Sequence, residues 1–547
     1  MDDAGEGTQG GPFSTRALRL TGAEWLAVIV GLGALVQALR GKANSSNCVF
    51  VALILPALLV LFSRTERLRA LRHIRNLLAS LDAFAAAGKT PWFAAVVFVV
   101  IPVTLLNLSN NRVETIGDTG TVVPTAVSLI TQGDTNLDEF CREGFWWVEV
   151  PEDERLDGRS SFLRRCGQHI YASHPIGMVP LALPVVAASK LAGGRISDPH
   201  VQIRLEKLTA AAVGGVSLGV FFLLLLCLVR PTSALATTAL VAVASGMFTT
   251  VGQNLWEHDG IILGALIVLL LEFRGARRWG VVAQGLICGT MPACRLTAVS
   301  FLVPFGAWVL VRSPRRAILI VAVAALAFLP WAGYYASIYG TPLGPSTIHM
   351  AGSNWSGQIA TRLAGVLLSP GRGLVIYQPW VVLALLPAIP LVRREATRRS
   401  VGPGPSGWVA VCVAAIVLEI GIVSAWHVWW SGWCWGSRLV VGIVPLWGLL
   451  CARSIDGLFA RRSGRALVVA VGLLGSLVQI PGAYTDSFRW NYYHGDGAER
   501  AVWSWSDAPF LAPFTLPPGA GTRDYARQRQ RGTLATSRST RSSRMVK

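Results

Sequence analysis

The chain has 547 residues, a formal net charge of +19 and a mean hydropathy of +0.49. Charged residues make up only 14% of it, against roughly 25% in soluble domains, which excludes an ordinary soluble protein. Long apolar runs recur along the whole chain, and because they are continuous rather than alternating, they also exclude a membrane β-barrel. The sequence therefore predicts an all-α polytopic membrane protein.

The beginning of the chain does not have the pattern of a cleavable signal peptide. It is acidic and rich in glycine, whereas a signal peptide has positive charge followed directly by a hydrophobic core. We expect 1–22 to be a disordered cytoplasmic lead and 23–90 a helical hairpin with a basic cytoplasmic loop. The main transmembrane domain is expected at 91–485, and 486–547 is expected to be an extramembrane tail, basic and disordered at its end.

Thirteen segments have the apolar character of a membrane span, which needs about 20 residues to cross the hydrocarbon layer. Several of them are short, and the pair within 280–311 can also be read as one bent element. The predicted spans are 24–39, 48–63, 91–109, 208–229, 232–252, 259–273, 280–293, 296–311, 317–337, 373–392, 407–428, 437–452 and 464–483.

Arginine and lysine orient these spans, since short cytoplasmic loops carry an excess of both. Alternation along the spans puts every basic loop on one side, the predicted cytoplasmic side: 64–75, 274–278, 312–316, 393–399 and 453–465. The outer side then receives 110–174, 254–260, 338–372 and 427–438. The basic end of the tail also falls outside, so either one predicted span is too many or the tail is a translocated arm.

The stretch 173–207 is apolar but rich in proline and glycine. Counting it as a span would break the charge alternation. We therefore interpret it as an interfacial or re-entrant helix within a large first outer loop, 110–207.

Acidic residues concentrate in that outer loop, where eleven of the 30 in the chain lie between Glu114 and Asp157. Asp118 stands in a Gly-Asp-Thr turn close to the predicted membrane surface. It suits a general base that takes a proton from a hydroxyl group, and it equally suits a helix cap. Asp134 repeats the tripeptide and reads chiefly as a turn. Asp138 and Glu139 are candidate metal ligands, although solvated helix charge explains them as well.

Three adjacent ionisable residues, Glu257, His258 and Asp259, stand at the mouth of an apolar span on the same predicted side as Asp118. One such residue at a membrane boundary means little, but three together favour a functional role. Their spacing is not that of a common metal-binding motif.

Three arginines lie on the predicted outer side, against the charge bias of the loops. Arg372 stands between two glycines, Arg438 ends a tryptophan-rich stretch, and Arg295 separates two apolar runs. An arginine at the head of a helix is well placed to hold a phosphate, and it can equally reach lipid headgroups from the membrane interface. The five tryptophans within 426–435 fit an aromatic belt as well as a platform for sugar stacking.

Two cysteines, Cys141 and Cys166, occur in the acidic outer loop. In an oxidising compartment they can form a disulfide across that loop.

In their order along the chain, these motifs resemble those of the GT-C superfamily of integral-membrane glycosyltransferases. That superfamily includes protein O-mannosyltransferases and the bacterial aminoarabinose transferases of lipid A. The matching stretches are "IGDTGTVVPTAVSLITQGDTNLDEF", His174-Pro175, "QNLWEHDG", "ACRLTAV", "LLSPGRGLVIYQPW" and "WWSGWCWGSR". The chain departs from the family where Gly117 and Thr119 flank Asp118, since many relatives have a second acid there, and in its two additional spans within 24–63.

The resemblance implies a GT-C-like bundle that transfers a sugar, with inversion, from a polyprenyl-phosphate donor to a lipid, glycan or protein. The reaction would take place at the extracytoplasmic face of a bacterial plasma membrane, among membrane lipids and with no nucleic-acid partner. Asp118 would be the base, with Asp134 as its rival. The sequence identifies no definite cofactor, and a divalent cation is the one candidate.

The chemistry of such a transfer predicts two further groups of site residues. The donor phosphate would contact Arg372 first, then Arg438 and Arg295. Substrate contacts are expected from Glu257, His258, Asp259, His174, Tyr377 and Trp430.

Two other classes of function remain open. A transporter or lipid-linked-sugar flippase also carries ionisable residues in its membrane domain. It often shows paired halves with broken helices, and no such repeat is visible here. A polysaccharide polymerase or ligase would use a lipid-linked oligosaccharide and act without a metal.

Overall fold

The computed structural model describes residues 91–110, 117–140, 163–345, 355, 358–388, 405, 407–485 and 488–516. The predicted lead at 1–22, the spans 24–39 and 48–63, the basic loop 64–75 and the end of the tail lie outside this part of the chain. What is described is mostly helical, as expected for an all-α membrane protein.

The first half of the described chain contains one long central helix, a β-hairpin and several shorter helices. Its elements are α1 (Pro91–Asn107), α2 (Gly117–Gly120), α3 (Val122–Thr131), a 3₁₀ turn (Asp138–Phe140), β1 (Leu163–Cys166), β2 (His169–Ala172), α4 (Val179–Leu191), α5 (Pro199–Leu225), α6 (Pro231–Val243), a π-helical turn (Met247–Val251), α7 (Glu257–Phe273) and α8 (Arg278–Cys294).

The second half alternates long helices with short 3₁₀ segments. Its elements are a 3₁₀ turn (Leu296–Ala298), α9 (Val299–Arg312), α10 (Pro314–Tyr339), α11 (Ile359–Leu368), α12 (Leu374–Tyr377), a 3₁₀ segment (Pro379–Ala388), α13 (Trp408–Ala425), a 3₁₀ segment (Arg438–Ile443), α14 (Val444–Leu458), α15 (Arg462–Tyr484), α16 (Arg489–His494), a 3₁₀ turn (Gly495–Gly497), α17 (Ala498–Ala501) and α18 (Ala512–Thr515).

Helix α5 is the centre of the bundle. Its most apolar window is 89% buried, whereas that of α10 is only 11% buried, so α10 offers its apolar side chains to the surroundings. Helix α5 packs against α1, α4 and α7, and α8 packs closely against α10. A side chain on Gly289 would overlap the backbone of Ala324 in α10, which explains why small residues line this contact.

Among the described residues, where eleven of the thirteen predicted spans begin, five helices are long and apolar enough to cross a membrane, so the predicted number of spans is wrong for this part of the chain. They are Pro199–Leu225, Pro314–Tyr339, Trp408–Ala425, Arg438–Leu458 and Arg462–Tyr484. The shorter apolar helices are Pro91–Asn107, Val179–Leu191, Pro231–Val243, Leu296–Arg312 and Ile359–Leu368.

Interruptions of the helices account for the lower count. The segment predicted at 232–252 divides at Ser245-Gly246 into α6 and the π-helical turn. The segment predicted at 373–392 begins with the single turn of α12 and continues from Pro379 as a 3₁₀ helix, because proline cannot continue an α-helical hydrogen-bond ladder. The 280–311 pair is not one bent element, since the backbone is extended at Arg295 between two helices.

The outer-loop region differs from the prediction in two ways. The span expected to begin at residue 208 begins at Pro199, where the carboxylate of Asp198 accepts a hydrogen bond from the backbone N–H of His200 at 2.8 Å. Only α4 remains as a separate short helix in 173–207. A β-hairpin with the two-residue turn Gly167-Gln168 joins β1 to β2, an addition to a fold expected to be all-α.

Ion pairs join the basic loops that were predicted to share one side. Arg230, which precedes α6, contacts Asp456 of α14 at 3.0 Å. Glu272 near the end of α7 contacts Arg316 of α10 at 2.6 Å and Arg312 of α9 at 3.7 Å. These contacts join helix ends that lie close together in the bundle, and the side of a membrane that they face stays a prediction.

Candidate functional site

Asp118 lies in the short helix α2, at the end of the bundle opposite those basic ion pairs, and both of its carboxylate oxygens are in contact with basic side chains. Nη1 of Arg438 lies 3.0 Å from its Oδ2 atom. Nε2 of His174 lies 3.4 Å from its Oδ1 atom. The carboxylate is therefore held between an arginine and a histidine.

The same contacts continue beyond His174. Nδ1 of that ring lies 3.4 Å from Oε1 of Glu257, whose Oε2 atom is 2.9 Å from Nη1 of Arg295. Basic and acidic groups thus alternate through five side chains. We call Arg438, Asp118, His174, Glu257 and Arg295 the carboxylate network.

Exposure falls from one carboxylate of the network to the other. The side chain of Asp118 is 23% exposed, that of His174 is 16% exposed and that of Glu257 is 6% exposed. Asp118 is therefore the carboxylate that a bound substrate can reach, and Glu257 lies behind it.

Each member of the network lies at the end of a helix or strand, where the chain turns. Asp118 precedes α3, His174 follows β2, and Glu257 is the first residue of α7. Arg295 separates α8 from the next 3₁₀ turn, and Arg438 begins the 3₁₀ segment before α14. Ends of different elements meet at one place, which explains how residues so distant in sequence form one site.

A close backbone contact fixes His174 relative to Arg295. The N–H of Gly177 donates to the carbonyl of Ala293 at 3.1 Å. A Cβ atom at position 177 would overlap the backbone of Ala293 and Cys294. Glycine at this position therefore lets the segment after His174 lie directly against the end of α8.

The guanidinium of Arg438 is also fixed from the side away from Asp118. It lies over the ring of Trp256, 4.3 Å from the ring centre, which is cation–π geometry. Its Nη2 atom donates to the carbonyl of Ser431 at 3.3 Å. Ser431 has a positive φ of 71°, which turns the chain sharply at this point of the tryptophan-rich loop.

A buried polar cluster beneath Asp118 was not identified from the sequence. The side-chain amide of Asn254 donates to Oε1 of Glu206 at 3.1 Å and to the hydroxyl of Thr119 at 3.3 Å. All three side chains are at most 2% exposed. The sequence did offer a signal for this cluster, because Glu206 is an acid within a long apolar segment. Such residues usually have a partner and a role.

Arg372 does not belong to the network. Its Nε atom donates to the carbonyl of Trp430 at 2.9 Å, and its Nη atoms donate to the carbonyls of Gly371 and Gly432 and to Oδ1 of Asn491, at 3.0–3.2 Å. The residue is 1% exposed, and its guanidinium lies over Trp490. These contacts connect loops to the C-terminal segment, so the hydrogen bonds of Arg372 are structural. We had expected Arg372 to be the first residue to contact the donor phosphate.

Tyr377 and Trp430 lie beside Arg372 and do not belong to the carboxylate network. Tyr377 is fully buried, with its ring packed edge-on against Trp435 and Phe510. Trp430 offers its backbone carbonyl to Arg372. The structure therefore does not bring either residue to Asp118, where a substrate contact would be needed.

The other acids of the first loop are placed apart from Asp118. Asp134 is exposed in the turn after α3, where it accepts hydrogen bonds from Ser128 and Asn136, as expected of a turn residue. Asp138 accepts a hydrogen bond from the backbone of Ile170 and contacts Nδ1 of His169 at 2.7 Å, which joins it to the β-hairpin.

Glu139 occupies the 3₁₀ turn beside Asp138. In the part of the chain that the structure describes, no three His, Cys, Asp or Glu residues are grouped as metal ligands.

His258 and Asp259 follow Glu257 in α7 but lie inside the bundle. They are 1% and 0% exposed, and neither ring nitrogen of His258 has a hydrogen-bond partner among the described residues. A bulky substrate at the end of the bundle that holds Asp118 cannot contact either side chain.

Cys166 ends strand β1 and is half-buried, while its expected partner Cys141 lies outside the described residues. Burial raises the pKa of the Cys166 thiol, an effect that the nearby Arg164 opposes. Burial likewise raises the pKa of Tyr171, on the adjacent strand β2.

Comparisons with protein-family models, with curated proteins and with solved structures found no match to this chain.

Proposed function

We propose that this chain is a membrane glycosyltransferase of the GT-C type. It would transfer a sugar from a polyprenyl-phosphate donor to an extracytoplasmic lipid, glycan or protein acceptor. The observation that carries this proposal is the pairing of the partly exposed Asp118 with Arg438 at 3.0 Å. A base for the acceptor and a cation for the donor phosphate are the two groups that metal-independent transfer from such a donor needs.

Arg438 takes the role of principal phosphate contact, which the sequence had assigned first to Arg372. The guanidinium of Arg438 is supported by Trp256 and Ser431, and its Nη1 atom meets the most exposed carboxylate of the network. The phosphate of a polyprenyl-phosphate sugar is a diester, which presents two free oxygens and one negative charge to an arginine, as a carboxylate does. It gains a second negative charge as its bond to the sugar breaks, so the donor phosphate would replace Asp118 as the partner of Arg438 as that charge grows.

This exchange of partners gives Asp118 its role as base. A carboxylate in contact with an arginine is held in its ionised form and binds a proton weakly. When the phosphate occupies Arg438, Asp118 loses that stabilising contact and becomes a stronger proton acceptor. The base would thus become active only when a donor is bound.

The reaction follows from these two roles. The acceptor oxygen forms a bond to the anomeric carbon from the face opposite the phosphate, and the bond from that carbon to the phosphate oxygen breaks. The acceptor proton passes to Asp118, and polyprenyl phosphate leaves with the bonding electrons. Arg438 stabilises the charge that grows on the leaving oxygen, so it acts more strongly on the transition state than on the ground state.

His174, Glu257 and Arg295 would position Asp118. The imidazole contacts Asp118 on one side and Glu257 on the other, and Arg295 keeps Glu257 in place at 2.9 Å. A base whose partner His174 is itself held by Glu257 loses little orientational freedom when the acceptor arrives.

A transporter is the second candidate, because ionisable side chains also lie within the bundle. The ammonium group of Lys207 is buried in α5 and contacts Asn110 at 3.0 Å and Gln253 at 2.5 Å. Buried ionisable residues of this kind mark ion and proton pathways in transport proteins. The two candidates differ in outcome, since only the enzyme makes a glycosylated product in detergent solution.

The experiment is an assay of purified protein with a panel of polyprenyl-phosphate sugars and extracted envelope acceptors. Asp118→Asn keeps the shape of the side chain and removes the base, so turnover should fall by about 10²–10⁴-fold. Asp134→Asn is the matched control, because it makes the same change in the second Gly-Asp-Thr copy, in an exposed turn. It should leave turnover close to that of the unmodified protein.

Two results would overturn the proposal. One is full turnover by a folded Asp118→Asn protein. The other is substrate movement across proteoliposomes without any glycosylated product, which would establish the transporter.

A further inference from the structure

A small cavity lies between α7, α9, α13 and the 3₁₀ segment that begins at Arg438. About 10 Å³ of it is open to the centre of a water molecule, which is the size at which one water fits. Its polar lining consists of His258, Thr297, Ser300 and Glu419, and Gly442 forms part of its wall.

The polar groups of this cavity need a ligand that the described side chains do not supply. His258 is 1% exposed and Glu419 is 3% exposed. Both ring nitrogens of His258 and the Oε2 atom of Glu419 have no hydrogen-bond partner among the described residues. A buried polar group without a partner destabilises the folded state, so these two groups together favour a bridging molecule.

We infer that the cavity binds one water molecule that links His258 with Glu419 and makes the two residues a proton-binding site behind the carboxylate network. Water fits because it can donate to a carboxylate oxygen and accept from or donate to an imidazole nitrogen. A metal cation fits less well, because the guanidinium of Arg295 acts electrostatically on both His258 and Glu419.

The surroundings of the site connect it to Asp118. The charged groups that act on it are Arg295 and Arg438, and the hydroxyl groups of Thr297 and Ser300 line the same cavity. Both arginines belong to the carboxylate network. A proton taken up between His258 and Glu419 therefore changes the electrostatic potential at the two cations that hold Glu257 and Asp118.

His258→Leu and Glu419→Leu allow a test that removes one polar group of the cavity at a time. If the cavity were dry, each change would replace a buried polar group that has an unpartnered atom by an apolar side chain and stabilise the protein. If it holds the inferred water, each change removes one of the two groups that bind the water and leaves the other without this partner.

The experiment uses the full chain in lipid nanodiscs and needs no substrate. A map at a resolution that shows water should contain one peak within hydrogen-bonding distance of His258 and Glu419, and that peak should be absent in Glu419→Leu. The apparent melting temperature of Glu419→Leu should fall by about 1–3 °C. An empty cavity in the unmodified protein, or a higher melting temperature in the variant, would overturn the inference.

Infrared difference spectra provide the second measurement. Between acidic and alkaline pH the unmodified protein should show the C=O band of a protonated carboxyl group, and Glu419→Gln should lose it. The band should shift in His258→Leu, because the carboxyl group then loses its link to the imidazole through the water. A spectrum that Glu419→Gln leaves unchanged would show that Glu419 does not exchange a proton, whatever reaction the protein catalyses.

Discussion

Nη1 of Arg438 lies 3.0 Å from Oδ2 of Asp118, although 320 positions separate the two residues in the chain. Asp118 belongs to α2 and Arg438 to the 3₁₀ segment before α14. The contact therefore forms only when the two halves of the bundle are assembled. The pair therefore depends on the complete fold, and it is also the pair on which the proposed chemistry rests.

Arg438→Ala should reduce kcat/KM for the polyprenyl-phosphate donor by about 10²–10³-fold, because the leaving phosphate loses its principal cation. Arg438→Lys should recover only part of this loss, since lysine keeps the charge but not the planar pair of donors. Steady-state kinetics with varied donor concentration measure both effects.

The acceptor provides the control for Arg438. Its KM should change little in both variants, because the acceptor hydroxyl meets Asp118 and not the arginine. A selective loss of acceptor binding, with donor kinetics intact, would contradict the assigned role.

Arg372→Ala should destabilise the protein by about 3 kcal/mol or more, because a buried guanidinium that bonds four oxygen atoms is removed. Thermal unfolding followed by tryptophan fluorescence measures the loss, and Trp490 lies directly under the guanidinium. Activity per folded molecule should stay close to that of the unmodified protein.

The opposite pattern would reinstate Arg372 as a donor contact. Unchanged unfolding together with a strongly raised KM for the donor would mean that its hydrogen bonds to Trp430, Gly432 and Asn491 give way to phosphate. Arg372→Gln serves as the comparison, since glutamine keeps part of the volume and one donor group.

Cys166 should react slowly with iodoacetamide after reduction. Burial raises the pKa of its thiol, so less of the reactive thiolate is present at a given pH than for an exposed cysteine. The rate should keep rising at pH values where an exposed cysteine has already reached its plateau. Mass spectrometry of the peptide that contains strand β1 measures this profile.

The same peptide tests the expected disulfide. Without a reductant it should be recovered joined to the peptide that contains Cys141 and should not be alkylated. Recovery of a fully alkylated Cys166 from protein that was exported and kept oxidised would contradict the pairing.

Sequence reasoning identified the members of the carboxylate network but not their contacts. Asp118, Glu257, Arg295 and Arg438 attract attention because charge is rare in an oily chain. Arg372 and Arg438 look alike in one dimension, since each precedes an apolar run and has small residues nearby. Their different roles depend on which carbonyl groups the folded loops bring to each guanidinium, and this cannot be derived from local sequence.

Hydropathy overestimated the number of spans for a related reason. It detects apolar composition, and it does not detect where the helical hydrogen-bond ladder ends. Ser245-Gly246 and Pro379 both fall inside apolar stretches and interrupt them. Glu206 escaped notice because a single acid beside Lys207 resembles an ordinary surface pair until both are found buried in α5.

The hydrogen bond from the N–H of Gly371 to the carbonyl of Val502, 2.8 Å long, attaches the C-terminal segment 488–516 to the bundle. Arg372 extends this attachment to the tryptophan-rich loop before Arg438, through its hydrogen bonds to Trp430, Gly432 and Asn491. A reporter enzyme fused behind Leu516 would consequently follow a segment that is attached to the loop before Arg438. An alkaline phosphatase fusion at that point, active only after export, would read out the orientation of the whole bundle in a living cell.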